Sequence, residues 1–263
     1  MEKDEYRKHF ELEESYWWFI GRRLGMAEVL KPLEQSDNRL KILDVGCGTG
    51  INLVFLGSYG EPFGCDLFPE AIDFSRRRGL RNLARARIQQ LPYHDGTFDL
   101  VTTLDVISHK GVPSEMEALR EAARVLKKGG HLLILDSAFH FIHGRHDLAC
   151  HIMRRYVRRT LDRLCRSAGL EPVRRGYFNF FLFPAVAAVR LLQKIRKPKS
   201  TQYVSNLRPI NAGLNAILEK IMRVEARLTR SLNLPFGSTV FCLARKTSAG
   251  TSLCFQAGQI KSS

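Results

Sequence analysis

Long apolar runs are missing from this chain. The longest, Tyr177 to Val189 (YFNFFLFPAVAAV), contains Pro184 and falls well short of the roughly 20 residues a membrane-spanning helix needs. The start, MEKDEYRKHFELEE, is charged and has no apolar core, so no signal peptide is expected. The six cysteines, Cys47, Cys65, Cys150, Cys165, Cys242 and Cys254, form neither CxxC pairs nor zinc-ligand spacing. Buried, reduced thiols and a cytoplasmic address follow, because a cytosolic redox poise keeps thiols reduced. Neither a repeat of solenoid length nor a low-complexity block is present. Acidic residues are scarce in one half only. Residues 1–150 hold 20 Lys and Arg against 22 Asp and Glu, whereas residues 151–246 hold 20 against 4. A near-neutral half is thus joined to a strongly basic one, whose field attracts phosphorylated small molecules, anionic lipid or nucleic acid.

The 263 residues, 44% of them apolar, suffice for one large α/β domain. From Lys41 onward, apolar strands alternate with amphipathic helical stretches, which predicts a doubly wound parallel sheet. KILDVG (41–46) reads as the first strand, followed by a glycine loop and a helix through Leu56. EPFGCD (61–66) reads as the second strand, and PEAIDFSRRRG (69–79) as a helix. RARIQQ (85–90) is a weak third strand and TFDLVTTLD (97–105) the fourth. SEMEALREAARVLKKGG (114–130) predicts a helix with Ser114 as its cap, because Glu117 follows three residues on and glycines end the run. HLLILDS (131–137) is the fifth strand.

Beyond it, a basic helix over Arg158–Ser167 precedes a strand at Glu171–Phe178, and GSTVFCLAR (237–245) closes as a final strand. Between these two strands, Leu214, Ile217, Leu218, Ile221, Leu228 and Leu232 mark one apolar helical stripe, with Lys220, Arg223, Arg227 and Arg230 largely opposite. The expected organisation is a single domain over 1–246. It comprises an N-terminal helical cap (1–40), a cofactor-binding core (41–178), a basic helical insertion (179–236) and the final strand (237–246). The tail 247–263 lacks a clear period and is expected to be poorly ordered.

A strand, a glycine-rich turn and a helix start form a general small-ligand site, because glycines admit close backbone approach and helix-start amides favour anions. Asp44-Val45-Gly46-Cys47-Gly48-Thr49-Gly50 fits that arrangement. The rival is a nicotinamide-binding G-x-G-x-x-G/A turn. Its third small residue would fall on Ile51, where close helix packing disfavours a bulky side chain. The third glycine instead falls at Gly50, giving D-x-G-x-G-x-G.

ILDVGCGTG, with Asp66 ending the second strand, resembles the class I S-adenosylmethionine-dependent methyltransferases. LPYHDGTFDLV (91–101) resembles their run between the third and fourth strands, and RVLKKGGHLLI (124–134) their run into the fifth. A narrower resemblance, to bacterial methyltransferases of the "type 11" kind, rests on Tyr16-Trp17-Trp18-Phe19-Ile20-Gly21-Arg22-Arg23 and on His146-Asp147, His151 and Arg154-Arg155-Tyr156. The resemblance implies a Rossmann-like α/β sheet, mostly parallel with an antiparallel last strand, under a helical N-terminal cap. It also implies S-adenosyl-L-methionine as cofactor. The implied contacts come from Asp44, Gly46, Cys47, Gly48 and Gly50, then Asp66 and Leu67, then Gln89, Gln90 and Leu91, and finally Leu104 and Asp105. Asp66 would accept hydrogen bonds from both ribose hydroxyls, since two neighbouring donors call for two acceptor oxygens. Two departures stand out. Arg87 occupies a position near the adenine where relatives have an acid, and Ser108 replaces Glu in the run Leu104–His109.

Methyl transfer is an in-line displacement, in which positioning supplies much of the rate. A hydroxyl or ammonium acceptor also needs a base, for which histidine suits neutral pH. The candidates are His109, after the fourth strand, and His146 and His151, after the fifth; a structural role for each stays open. Tyr16, Trp17 and Trp18 are candidates for a water-excluding lid or for burial alone, and Arg22 and Arg23 for anion contacts or a solvated face. The insertion holds 10 Lys and Arg against 2 Asp and Glu, and its apolar start runs into RLLQKIRKPK. That reads either as an interfacial anchor on an anionic membrane or as a substrate lid. The expected reaction is O-methylation of a small-molecule or lipid-linked acceptor. The alternatives are an RNA methyltransferase, favoured by charge but lacking a recognisable RNA-binding module, and a catalytically inactive Rossmann-like binding protein.

Overall fold

The structure, a computed structural model, describes residues 3–34, 39–195 and 207–247. The tail expected over 247–263 lies, from residue 248 on, outside the described residues. Seven strands form one sheet: β1 (Leu40–Val45), β2 (Gly60–Asp66), β3 (Leu83–Arg85), β4 (Phe98–Leu104), β5 (Leu126–Ser137), β6 (Leu170–Phe178) and β7 (Thr239–Lys246). Their order is β3-β2-β1-β4-β5-β7-β6. The pairs from β3 through β5 are parallel, and β7 runs antiparallel to both β5 and β6. The chain leaves β1 toward β2 and β3, then returns to add β4 on the other side of β1. The switch point, where ligands bind in such sheets, therefore lies between β1 and β4.

Helices cover both faces: α1 (Lys3–Leu12), α2 (Trp17–Leu30), α3 (Ile51–Leu56), α4 (Pro69–Arg77), α5 (Glu115–Val125), α6 (Arg145–Ala149), α7 (Arg158–Ser167), α8 (Phe183–Ile195) and α9 (Ala212–Thr229). The period-2 alternation of β5 divides the core. Leu132 and Ile134 pack with Leu119, Ala122 and Leu161 on one face, and Leu133 and Leu135 pack with Met26, Leu30 and Phe241 on the other.

Three sequence expectations change. The third strand is Leu83–Arg85 rather than 85–90, because its pairing with β2 ends at Asp66↔Arg85. The helix expected over 114–130 keeps its cap, with Ser114 Oγ accepting from the Glu117 amide at 3.2 Å, but stops at Val125. Leu126 already pairs with Phe98 on β4, so the Lys-Lys-Gly-Gly stretch belongs to β5. The buried face of α9 is Met222, Glu225, Ala226 and Thr229, not the leucine stripe; Leu214 and Ile217 are exposed.

The rotation of α9 follows from its neighbours. A Cβ at Gly21 of α2 would lie 2.7 Å from the Met222 side chain, so the missing side chain admits α9. Asn215 on α9 accepts from the Trp17 amide and donates to Ser15 O, both at 2.9 Å. Arg174 on β6 donates to Glu28 O and to Thr229 O, tying α2 to α9. The segment expected as an insertion thus packs as part of the layer over the sheet.

Candidate active site

A cavity of about 650 Å³ opens at the switch point, within the range of small-ligand pockets. Its walls come from the glycine loop after β1, the end of β2, the loop after β4, and helices α2 and α8. Gly46, Gly48 and Gly50 all have positive φ, at 74°, 56° and 86°. At Gly46 a Cβ would lie 2.4 Å from Val106 Cγ2, whereas at Gly48 it would meet nothing within 4 Å. Gly48 lines the cavity, so its bare backbone forms a cradle that any side chain would begin to fill.

Asp66 lies beside that cradle. Its Oδ2 accepts from the Gly48 amide and its Oδ1 from the Phe68 amide, each at 3.0 Å. Every carboxylate oxygen accepts two hydrogen bonds, so each oxygen keeps one acceptor site for a ligand hydroxyl. Burial raises the Asp66 pKa, while the amides of Phe68, Gly48 and Leu67 oppose that shift. The residues present therefore fit a nucleoside with vicinal hydroxyls.

Among the other expected contacts, Cys47, Leu67, Gln89, Leu104 and Asp105 line the cavity. Asp44, Gly50, Gln90 and Leu91 do not. Asp44 is buried beneath the loop, where its Oδ1 accepts from Thr102 Oγ1 at 2.6 Å, and burial pushes its pKa up to about 7. Gly50 caps α3 in the left-handed conformation. The Gln90 amide turns back to Arg87 O, and the Leu91 amide donates to Glu121. Arg87, the departure near the adenine, also lines the cavity.

Asp105 directly follows β4 with a φ of 59°, a conformation that is strained for a residue with a side chain. It ion-pairs with Arg22 of α2, whose guanidinium lies 4.6 Å from the Trp18 ring centroid. The aromatic element Tyr16, Trp17 and Trp18 also lines the cavity, so α2 lies across the switch point and is tied to β4 by one ion pair. Arg23 is not on the wall; it faces the carbonyl of Glu14 at 3.5 Å. Glu13 fixes the loop from the other side. It is 3% exposed, accepts from Thr49 Oγ1, and pairs with Arg78, which donates to Thr49 O at 3.0 Å.

His109 lines the cavity, and its Nδ1 accepts from the Gly111 amide at 3.0 Å. In the neutral ring the proton then sits on Nε2. Burial, with His151 adding a smaller effect in the same direction, holds the His109 pKa down at about 4. A neutral ring in that tautomer offers a donor rather than a base, which counts against the role expected from sequence. His151 is off the cavity wall, with its ring centroid 5.8 Å from that of His109 and a φ of 55°. His146 lies in α6, and its side chain is outside the described residues.

The Asp147 and Arg-Arg-Tyr elements build a scaffold. Arg154 donates to Val112 O at 2.8 Å and Tyr156 to Ile107 O at 3.0 Å, while Arg155 pairs with Asp147 at 2.6 Å. Sequence reasoning missed Asn179, Arg190 and Glu225. Glu225, 1% exposed, accepts from the amides of Asn179, Phe180 and Phe181. The signal available was that only two acids occur in the basic stretch 179–236.

Residues 43–134 match the family model of the methyltransferase domain. The chain is 29% identical over 140 residues to ubiquinone biosynthesis O-methyltransferase of Vibrio parahaemolyticus, spanning 48% of this chain and 59% of that protein. It is 30% identical over 144 residues to demethylmenaquinone methyltransferase of Halalkalibacterium halodurans, spanning 50% and 56%. It is 35% identical over 102 residues to the human protein named "Probable tRNA methyltransferase 9B", spanning 38% and 22%. The chain thus spans under two thirds of the length of each of these relatives. Among solved structures, an S-adenosylmethionine-dependent methyltransferase from Mesorhizobium loti shares the fold at a TM-score of 0.54 and 17% identity, covering 84% of this chain and 97% of that one. A methyltransferase from Archaeoglobus fulgidus does so at 0.55 and 15%, covering 85% and 92%. Residues 43–134 thus match a methyltransferase domain, and the sheet around them has the fold of these solved methyltransferases.

Proposed function

We propose that this chain transfers a methyl group to an oxygen of a small-molecule or lipid-linked acceptor held in the same cavity as the cofactor. The observation that carries this reading is the continuity of that cavity. It runs from the Gly48 cradle and Asp66 to a wall of apolar side chains that includes Ile142, Ile152, Leu182 and Val186. When bound, S-adenosylmethionine supplies a methyl group on a positively charged sulfur. The residues proposed to hold it are Gly46, Cys47 and Gly48, with Asp66 gripping the ribose, and Leu67 and Gln89 beside the base. Arg22, fixed by Asp105, supplies a cation for a carboxylate. His109 orients the acceptor oxygen through Nε2–H and takes up no proton, so the acceptor must be acidic enough to lose its own proton to water. Tyr16, Trp17 and Trp18 exclude water from the chamber, which strengthens every charge interaction inside it.

No helix of the described residues is long and apolar enough to cross a membrane. Peripheral docking on an anionic membrane is supported by the exposed Val189, Leu191 and Leu192 on α8, which lead into Lys194 and the basic run through Lys199.

The test is a fractionated cell extract incubated with the chain and methyl-labelled cofactor. Label is expected in the lipid or the polar small-molecule fraction, with anionic vesicles pelleting the chain at low salt. Label confined to RNA would replace this reading with the one suggested by the basic half, and vesicles that leave the chain in solution would remove the docking. No label in any fraction, from folded chain, would leave a binding protein.

A further inference from the structure

The acceptor side of the cavity contains more cation than the scaffold uses. Asp147 is fully buried and accepts at Oδ1 from Arg155 Nη2 at 2.6 Å and Nε at 3.1 Å. Arg155 spends a further donor on Ala138 O at 2.6 Å. The Asp147 Oδ2 atom accepts from the Gly144 amide at 2.7 Å. One acceptor site on Oδ2 is then left, the one Arg190 approaches. Arg190, on α8, reaches Asp147 Oδ2 only at 3.4 Å, its one polar side-chain contact among the described residues. Its side chain is 12% exposed, and burial lowers its pKa. A guanidinium carries five donors, and Asp147 Oδ2 is the acceptor seen for this one among the described residues.

Two guanidinium groups face one carboxylate in this triad, leaving one positive charge uncompensated. An unpaired buried charge is costly, and a counter-anion relieves that cost. The site is separate from the cofactor cradle. Arg155 and Arg190 are tied to the segment after β5, which lies two strands from β1 in the sheet, so roughly 10 Å separates the two strand ends at the usual strand spacing. The wall beside Arg190 is apolar, formed by Val186 of α8 and by Leu182, which precedes it, with Ile142 and Ile152.

We propose that the acceptor is amphipathic and carries an oxyanion, a carboxylate or a phosphate, bound by Arg190 with support from Arg155 while its apolar part lies along α8. This rests on the proposed function, since it assigns the acceptor end of the same cavity. Arg190 is then a specificity-determining residue, and Asp147 positions it while holding Arg155.

The test uses the full chain saturated with S-adenosylhomocysteine, titrated calorimetrically with octyl phosphate, octanoate and octanol. Wild type is expected to bind at least one anion about tenfold or more tightly than octanol, consistent with a charge-assisted contact. Whichever anion binds tells phosphate from carboxylate. Arg190→Gln should bring the anions down to the level of octanol and leave S-adenosylhomocysteine affinity unchanged, while Arg190→Lys should keep part of the preference. Equal binding of all three probes by wild type, absence of binding by any, or a preference that survives Arg190→Gln would overturn the proposal. Failure of S-adenosylhomocysteine to bind would remove the proposed function instead, and the anion preference would then be read on the chain alone.

Discussion

The proposed cofactor end and the proposed acceptor end of the cavity are built by different means. The proposed cofactor end is backbone and one carboxylate: the left-handed Gly46 and Gly48 with Asp66, all within 21 residues, the Gly46 amide donating to Cys65 O and the Gly48 amide to Asp66. The acceptor end is side chains from three distant segments. Its key contacts join Asp147 to Arg190, 43 residues apart, and Glu225 to Asn179, 46 apart. A backbone cradle tolerates little variation and serves any reaction that uses the same nucleoside. A chamber assembled from distant side chains can be altered one residue at a time, which is how one fold serves many acceptors.

That contrast can be broken at Glu225. Glu225→Ala leaves the amides of Asn179, Phe180 and Phe181 without their acceptor, at about 1–3 kcal/mol for each buried group left unpaired. Partial entry of water should keep the total near 3 kcal/mol. Chemical denaturation should show a loss of that order, while affinity for S-adenosylhomocysteine stays within about threefold, since 1.4 kcal/mol is a factor of ten in affinity. A tenfold loss of affinity would mean that the two ends are not independent.

A smaller effect sharpens the comparison through pH. The His109 pKa of about 4 lies below its ordinary value of 6.5, so between these values the unfolded chain binds the extra proton. Stability should then fall as pH drops from 6.5 toward 4, with no further contribution below. The buried Asp44, raised from 3.8 to about 7, acts in the opposite sense, its contribution being lost as pH rises through 7. Denaturation across this range should show His109→Gln gaining stability relative to wild type as pH falls from 6.5 toward 4; parallel pH profiles would contradict the burial of a neutral ring.

The same contrast explains what could be read from the sequence. The glycine loop, Asp66 and most strands were legible because each is a local pattern, with apolar alternation ended by turn residues. The helix expected over 114–130 ends early, at Val125, because Lys-Lys-Gly-Gly resembles a helix C-terminus in sequence whereas the pairing of Leu126 with Phe98 is long-range. The buried face of α9 was misassigned because periodicity counts Glu225 as polar and outward. Its carboxylate turns inward to accept from the three backbone amides of the turn at Asn179. Arg190 is one of 10 Lys and Arg in the stretch 179–236, and its partner Asp147 lies on another element.

The central claim is that the β1–β2 end binds S-adenosylmethionine through the Gly48 cradle and Asp66. Calorimetry with S-adenosylhomocysteine and with reduced nicotinamide dinucleotide on the same folded chain tests it most directly. The account predicts saturable binding of the first alone, weakened about 100-fold in Asp66→Ala by the loss of charge-assisted hydrogen bonds. Binding of the dinucleotide without the homocysteine nucleoside, or an Asp66→Ala variant that binds as wild type does, would contradict it.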